Sequence, residues 1–134
     1  MLSHRGFYAI RSAIRKRSAK RSPTMSTILI TGTSGFIGNA LALSLADKHD
    51  VIGLSRKPTS GAGTTPIQGD FANPDDLHKL DEHEDIDVLI HLAAVTGGGT
   101  TEECIEVNVA GTHRLLRYLI DRGTQQFVLA SSIA

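Results

Sequence analysis

Residues 27–40 read TILITGTSGFIGNA. An apolar, β-branched run suited to a strand passes into a helix-forming run through Gly32, Gly35 and Gly38, each three positions apart. Glycine inside a helix costs about 1 kcal/mol relative to alanine, so three at one junction need a steric reason. A strand that turns directly into a helix supplies it. The first glycine permits the sharp turn, the second lets the backbone lie against a pyrophosphate with no Cβ in the way, and the third lets the helix pack tightly on the sheet. The helix N-terminus then presents free N–H groups and a positive dipole end to an anion. A glycine turn can serve packing alone, but here it sits between a strand and a helix near the start of a βαβ unit, the context that favours dinucleotide binding.

The rest of the chain repeats the alternation. FIGNALALSLADK predicts a helix with Ile37, Leu41 and Leu45 on one face, and HDVIGLSR a second strand. After the Gly/Thr/Ser/Pro loop KPTSGAGTTP comes a brief strand, PIQGD, then a short helix over NPDDLHKLDEH capped by Asn73 with Pro74 in its first turn. DVLIHLAA is a fourth strand, apolar on both faces. TEECIEVNVAGTHRLLRYLIDRG predicts one long helix burying Ile105, Val109, Thr112, Leu116 and Leu119 and closed by Gly123, and QFVLASS is a fifth strand. Apolar runs alternating with helices, with no hairpin turns between them, argue for an α/β fold with a parallel sheet covered on both faces.

Charge separates the chain into two parts. The 134 residues carry 14 basic and 14 acidic side chains, but residues 1–25 hold seven of the bases (Arg5, Arg11, Arg15, Lys16, Arg17, Lys20 and Arg21) and no acid. Residues 1–25 therefore form a basic tail, and residues 26–134 an acidic domain. The tail is rich in Arg and Ser, with Phe7, Ile10 and Ile14 at helical spacing, which fits a mitochondrial or plastid transit peptide. A solvated basic arm, or an extension upstream of a start at Met25, fits equally well. The expected location is cytoplasmic, or mitochondrial or plastid if the tail is a transit peptide. No aromatic or structured partner accompanies the basic run, so no specific nucleic-acid binding is expected. No apolar run approaches the roughly 18 residues of a membrane span. The lone Cys104 builds neither an internal disulfide nor a metal site, and none of the histidines has a ligand partner at useful spacing. His91, in an apolar strand, reads as structural, His78 and His83 as solvated residues of a polar helix, and His113 as a helix residue with no carboxylate pattern near it.

The spacing Thr31-Gly32-x-x-Gly35-x-x-Gly38 resembles the extended short-chain dehydrogenase/reductase family, the NAD(P)-dependent epimerases and dehydratases acting largely on nucleotide sugars and related polyols. The resemblance spans residues 27–134. It includes Gly69-Asp70, HLAA at residues 91–94, Asn108-Val-Ala-Gly111-Thr112, and FVLASSIA. It implies a Rossmann-type doubly wound parallel sheet, here reaching about five strands, with cofactor lying across their carboxyl ends and a smaller substrate lobe following. Candidate cofactor contacts are Thr31, Gly32, Ser34, Gly35, Phe36, Ile37 and Gly38 in the loop, and Ala93 and Ala94, whose small side chains permit backbone approach. By the same resemblance Asp70 would meet the adenine amino group, unless it only caps a turn, and Phe71 would contribute a backbone contact. Asn108 would hold backbone or water in a proton relay, or serve simply as a buried hydrogen-bonding residue.

An acidic residue at the end of the second strand would bond the ribose hydroxyls and repel a phosphate. This chain has Ser55-Arg56 instead. Ser55 can donate to a 2′-phosphate and Arg56 can clamp it, so NADP is favoured over NAD. The alternative is an Arg56 stacked on adenine, or in solvent, with NAD bound.

The family resemblance also assigns substrate polarisation to the last hydroxyl after the fifth strand, which is Ser132, with Ser131 the second choice. Acid/base work in the family belongs to a Tyr-x-x-x-Lys motif, and this sequence has none: Tyr8 lies in the tail, and Tyr118 is followed four residues on by Arg122. The chain therefore reads as the N-terminal part of such an enzyme, inactive alone, taking a small-molecule substrate only in a full-length form. The alternative is a noncatalytic NAD(P)-binding module or redox sensor. The fifth strand should be an open sheet edge inclined to self-association.

Overall fold

In a computed structural model, residues 24–57, 61, 63–83 and 85–132 are described, and the basic tail read from residues 1–25 lies almost wholly outside them. Five strands form one parallel sheet: β1 (Thr27–Thr31), β2 (Asp50–Ser55), β3 (Thr64–Gln68), β4 (Val88–His91) and β5 (Gln126–Leu129), in the order β3-β2-β1-β4-β5. β1 is central, with Leu29 opposite Ile52 on one side and Leu89 on the other. This is the Rossmann-type, doubly wound sheet expected from the alternating pattern.

The central strands β1, β2 and β4 are largely apolar because both of their faces are covered, whereas β3 and β5 are mostly exposed. Ile28 and Ile30 of β1 and Val51 of β2 point to one face, where they pack on Ala42, Leu41 and Leu45 of helix α1 (Phe36–Ala46). Leu29, Ile52, Leu54 and Leu89 point to the other and form the larger core. That core is closed by Leu77 of α2 (Pro74–Leu77), Leu80 of the 3₁₀ turn that extends it (His78–Glu82), and Leu115 and Leu119 of α4 (Thr112–Asp121).

The local stops and starts follow sequence chemistry. Asn73 accepts the Asp75 N–H to cap α2, with Pro74 in the first turn. Thr100 and Glu103 form a reciprocal capping box on α3 (Thr101–Cys104). Gly123, at φ +91°, ends α4: its N–H reaches the Ile120 carbonyl, and the Thr124 N–H reaches Leu119.

Three expectations need correction. The strand expected to begin at Pro66 begins at Thr64. The segment read as one long helix is α3, then a π-helical stretch (Ile105–Gly111), then α4. The wider π turn adds a residue and shifts the phase of everything before it. As a result Ile105 and Val109 lie 56% and 63% exposed, while Gly111, Leu115 and Leu119 take the buried face and Leu116 is half-buried. In α1, Ile37 is exposed and Gly38 and Ala42 are buried, because the helix approaches the sheet too closely to admit larger side chains. Among the described residues no helix is long and apolar enough to cross a membrane.

Leu119→Ala should cost about 3 kcal/mol of unfolding free energy, the usual loss for a fully buried leucine, and Ile105→Ala less than about 0.5. Urea denaturation of the full chain tests both; equal losses would return Ile105 to the core.

Candidate functional site

The carboxyl ends of β1, β2 and β4 converge on a cavity of about 230 Å³. Gly32 forms its floor at φ +79°, donating its N–H to the Leu54 carbonyl at 3.0 Å. A Cβ at Gly32 would sit 3.0 Å from the Ala93 nitrogen, and one at Gly38 would sit 2.2 Å from the Gly32 carbonyl oxygen. The second contact is impossible for any side chain. Three backbone segments thus meet at the floor, and the N-terminus of α1 is drawn up to the cavity rim. Gly35 caps α1 in an extended conformation with no side chain satisfying the first N–H groups, and the first turn carries no acid. Those amides are free to meet an anion.

The opposite wall comes from β2 and the loop after β3. Ser55 is buried, and its hydroxyl donates to the Lys57 carbonyl. The Arg56 side chain is exposed and lines the cavity. Its guanidinium makes no ion pair or hydrogen bond among the described residues. Asp70 accepts the Ala72 N–H at 2.9 Å and donates its own N–H to Asp76 at 2.8 Å. Asp76 also holds Lys79 at 2.6 Å, and the hydrogen bond from Lys79, followed by the Asp70 amide, lowers the Asp76 pKa. Arg56, Gly69 and Asp70 are shared with a second cavity of about 270 Å³ that extends to Asp76 and Lys79. Phe71 is buried in the larger core and also borders the cavity.

On the β4 side, Leu92, Ala93, Ala94 and Val95 form the wall. Thr31 is fully buried beneath them, its Oγ1 accepting the Leu92 and Ala93 N–H groups at 3.2 and 3.1 Å. Asn108, in the π-helical stretch, grips Val95 by both ends of its amide: Oδ1 accepts the Val95 N–H at 2.8 Å, and Nδ2 donates to the Val95 carbonyl at 2.9 Å.

Of the residues singled out in the sequence, Gly32, Ser34, Gly35, Ser55, Arg56, Asp70, Phe71, Ala93 and Ala94 line the first cavity. Thr31, Gly38 and Asn108 stand behind it as supports. Phe36 and Ile37 face solvent beside the loop, and Ser131 and Ser132 are exposed after β5. Sequence reading missed Val95 and Val107, which line the cavity, and Lys79 at its extension. Their positions arise from topology, and no local motif marks them.

Residues 28–134 match the model of the NAD dependent epimerase/dehydratase family, and the chain belongs to that family. It is 34% identical over 126 residues to a 3-beta-hydroxysteroid dehydrogenase of Mycolicibacterium neoaurum, covering 82% of this chain and 34% of the relative. To a UDP-glucose 4-epimerase of Halalkalibacterium halodurans it is 32% identical over 116 residues, covering 80% and 35%. A short-chain dehydrogenase/reductase superfamily protein from Agrobacterium tumefaciens, solved with bound NAD, superposes with a TM-score of 0.69 at 29% identity, covering 79% of this chain and 32% of that one. The chain thus spans about a third of the length of these relatives.

Burial lowers the His91 pKa from 6.5 to about 4. The unfolded chain takes up the proton near pH 6.5 and the folded chain does not, so this contribution to stability is complete above that pH and drains as the pH falls toward 4. It amounts to about 2 kcal/mol between pH 6.5 and 5. Denaturation across this window should show the decline in the wild type and a flatter profile in His91→Gln; parallel profiles would remove His91 as the cause.

Proposed function

We propose that this chain is the cofactor-binding part of an NAD(P)-dependent oxidoreductase or epimerase acting on a sugar-nucleotide, sugar-acid or polyol-like substrate. The observation that carries the reading is the cavity itself, bounded on one side by the uncapped N-terminus of α1 and on the other by an Arg56 guanidinium with no counter-ion among the described residues. Both ends call for anions, and a dinucleotide carries phosphates at the spacing of pyrophosphate and ribose. The backbone approach enforced at Gly32 and Ala93 fits such a ligand, since no Cβ from the loop stands in its path.

In this reading the amides at the start of α1 hold the pyrophosphate. Ala93 and Ala94 flank the ligand, Asp70 orients the adenine, and Arg56 selects NADP by pairing with its 2′-phosphate. Ser55 contributes only if its hydroxyl leaves the Lys57 carbonyl. The bound cofactor supplies a hydride acceptor at C4 of nicotinamide, and Ser132 polarises the substrate oxygen. The related proteins support the dinucleotide part of this reading, since one solved relative holds NAD and the named relatives are dehydrogenases and an epimerase, while the preference for NADP rests on Arg56 alone.

A second reading, a noncatalytic dinucleotide-binding module, draws on the state of Tyr118. Its hydroxyl donates to Asp81, burial together with that carboxylate raises its pKa to about 12, and it does not line the cavity. In this sequence no Tyr-x-x-x-Lys replaces it. An in-frame Tyr-x-x-x-Lys in coding sequence downstream of Ala134 supports the enzyme, and its absence the module.

Calorimetric titration of the full chain should give tighter binding for NADPH than for NADH. Arg56→Asp should weaken NADPH by about ten- to a hundred-fold and NADH far less; equal losses would clear Arg56 of the 2′-phosphate role. Gly35→Leu should abolish binding with helix content retained, and retained binding would mean the loop is not the phosphate site.

Self-association through β5 belongs to the same proposal. Among the described residues β5 is an edge strand with Phe127, Val128 and Leu129 all exposed, and no charged residue lies between Thr124 and Ala134. Val128→Lys should shift sedimenting oligomers toward monomer; an unchanged distribution would exclude the edge as the contact.

A further inference from the structure

His91 ends β4 with 4% of its surface exposed, and it does not itself line the cavity. Its ring lies between two hydroxyls, with Nδ1 2.7 Å from Thr31 Oγ1 and Nε2 3.0 Å from Thr112 Oγ1, and meets the Phe71 ring edge-on at a centroid distance of 4.6 Å. A polar ring in an otherwise apolar strand costs desolvation that a leucine would not. Its hydrogen bonds explain its presence.

The donor and acceptor inventory fixes their direction. A threonine hydroxyl has one proton and two acceptor sites. Both acceptor sites of Thr31 are taken by the Leu92 and Ala93 N–H groups. Its proton must therefore go to His91 Nδ1, which is bare. The neutral ring then carries its proton on Nε2 and donates it to Thr112. No other assignment satisfies all of these contacts at once. If Nδ1 carried the proton, Thr31 would need a third acceptor site and would have to release one of the two amides.

We propose that His91 is a positioning residue for the dinucleotide site. By accepting the Thr31 proton at Nδ1 it locks Thr31 Oγ1 as a double acceptor, and so sets the tilt of the Leu92 and Ala93 peptides that wall the cavity. The same ring braces Phe71 on the opposite wall and ties β4 to the first residue of α4. One side chain outside the cavity thereby sets the gap between Gly32 and Ala93. The inference rests on the dinucleotide reading above.

The test combines imidazole ¹⁵N spectra of the full chain with NADPH titrations. At pH 7 His91 should show a single neutral tautomer protonated at Nε2; a ring protonated at Nδ1 would overturn the assignment. His91→Phe and Thr31→Val should each weaken NADPH by about five- to ten-fold in folded protein, the worth of one hydrogen bond. The double variant should lose no more than either alone, and His91→Gln, which can accept from Thr31 and donate to Thr112, should recover most of the affinity. Wild-type affinity in folded His91→Phe would overturn the proposal. Should that variant fail to fold, Thr112→Val carries the test: the Nε2–H tautomer should persist because Thr31 still donates to Nδ1, but the ring loses its second anchor and binding should weaken, and unchanged affinity would overturn the proposal. A wild type that binds neither NADPH nor NADH would overturn the dinucleotide reading and this inference with it, whereas binding that these variants leave unchanged would overturn this inference alone.

Discussion

The contact on which the rest of the molecule depends is the meeting of three backbones at Gly32. The carbonyl of Gly32 lies where a side chain at Gly38 would be, and its α-carbon faces the amide of Ala93. Helix α1 can therefore lie close on the sheet, and its first amides can stand at the carboxyl ends of the strands instead of behind them. Moving the helix outward by the width of a methyl group would open the packing of Ala42 on Ile28 and Ile30 and withdraw the helix dipole from the cavity. Packing and binding geometry are set by the same atoms.

Electrostatics then divides the site. At the α1 end the positive contribution comes from backbone, with no acid to quench it. At the far end Asp76 is held by the Asp70 N–H and by Lys79, the Asp70 carboxylate accepts the Ala72 N–H, and Arg56 has no counter-ion among the described residues. In the proposed reading these two positive ends would meet the phosphates of a dinucleotide. Small residues, among them Gly32, Gly35, Ala93 and Ala94, make up much of the wall and leave backbone facing the cavity.

Much of this was legible in the sequence. Strands β1, β2 and β4 follow from apolar runs, the caps at Asn73 and Gly123 from turn chemistry, and the floor of the site from glycine spacing, all of them local signals. What escaped was set over longer distances. Ile37, Ile105 and Val109 have helical periodicity but face solvent, because the close approach of α1 and the extra residue of the π-helical stretch decide which side of each helix meets the sheet. Thr31 carries a motif that suggests ligand contact, yet it works one layer below, where its hydroxyl organises two amides. Val95 is held by an asparagine 13 residues away, and Lys79 reaches the site through the path of the chain after β3, relations that no short motif records.

The central position of β1 also shapes how the chain can be made. Its first partner, β2, follows after about twenty residues, but Ile28 pairs with Val88 on its other side, 60 positions further along. At typical elongation rates of about 5–20 residues per second, β1 spends several seconds outside the ribosome with one apolar edge unpaired and its larger core face only partly covered. High contact order slows the closing step further. A nascent chain stalled before residue 88 would hold β1, β2 and β3 with α1 on one face, but the edge of β1 that takes β4 would be bare and the other core face would lack Leu89, Leu115 and Leu119. That species, more than the finished fold, is the one a chaperone would have to shelter.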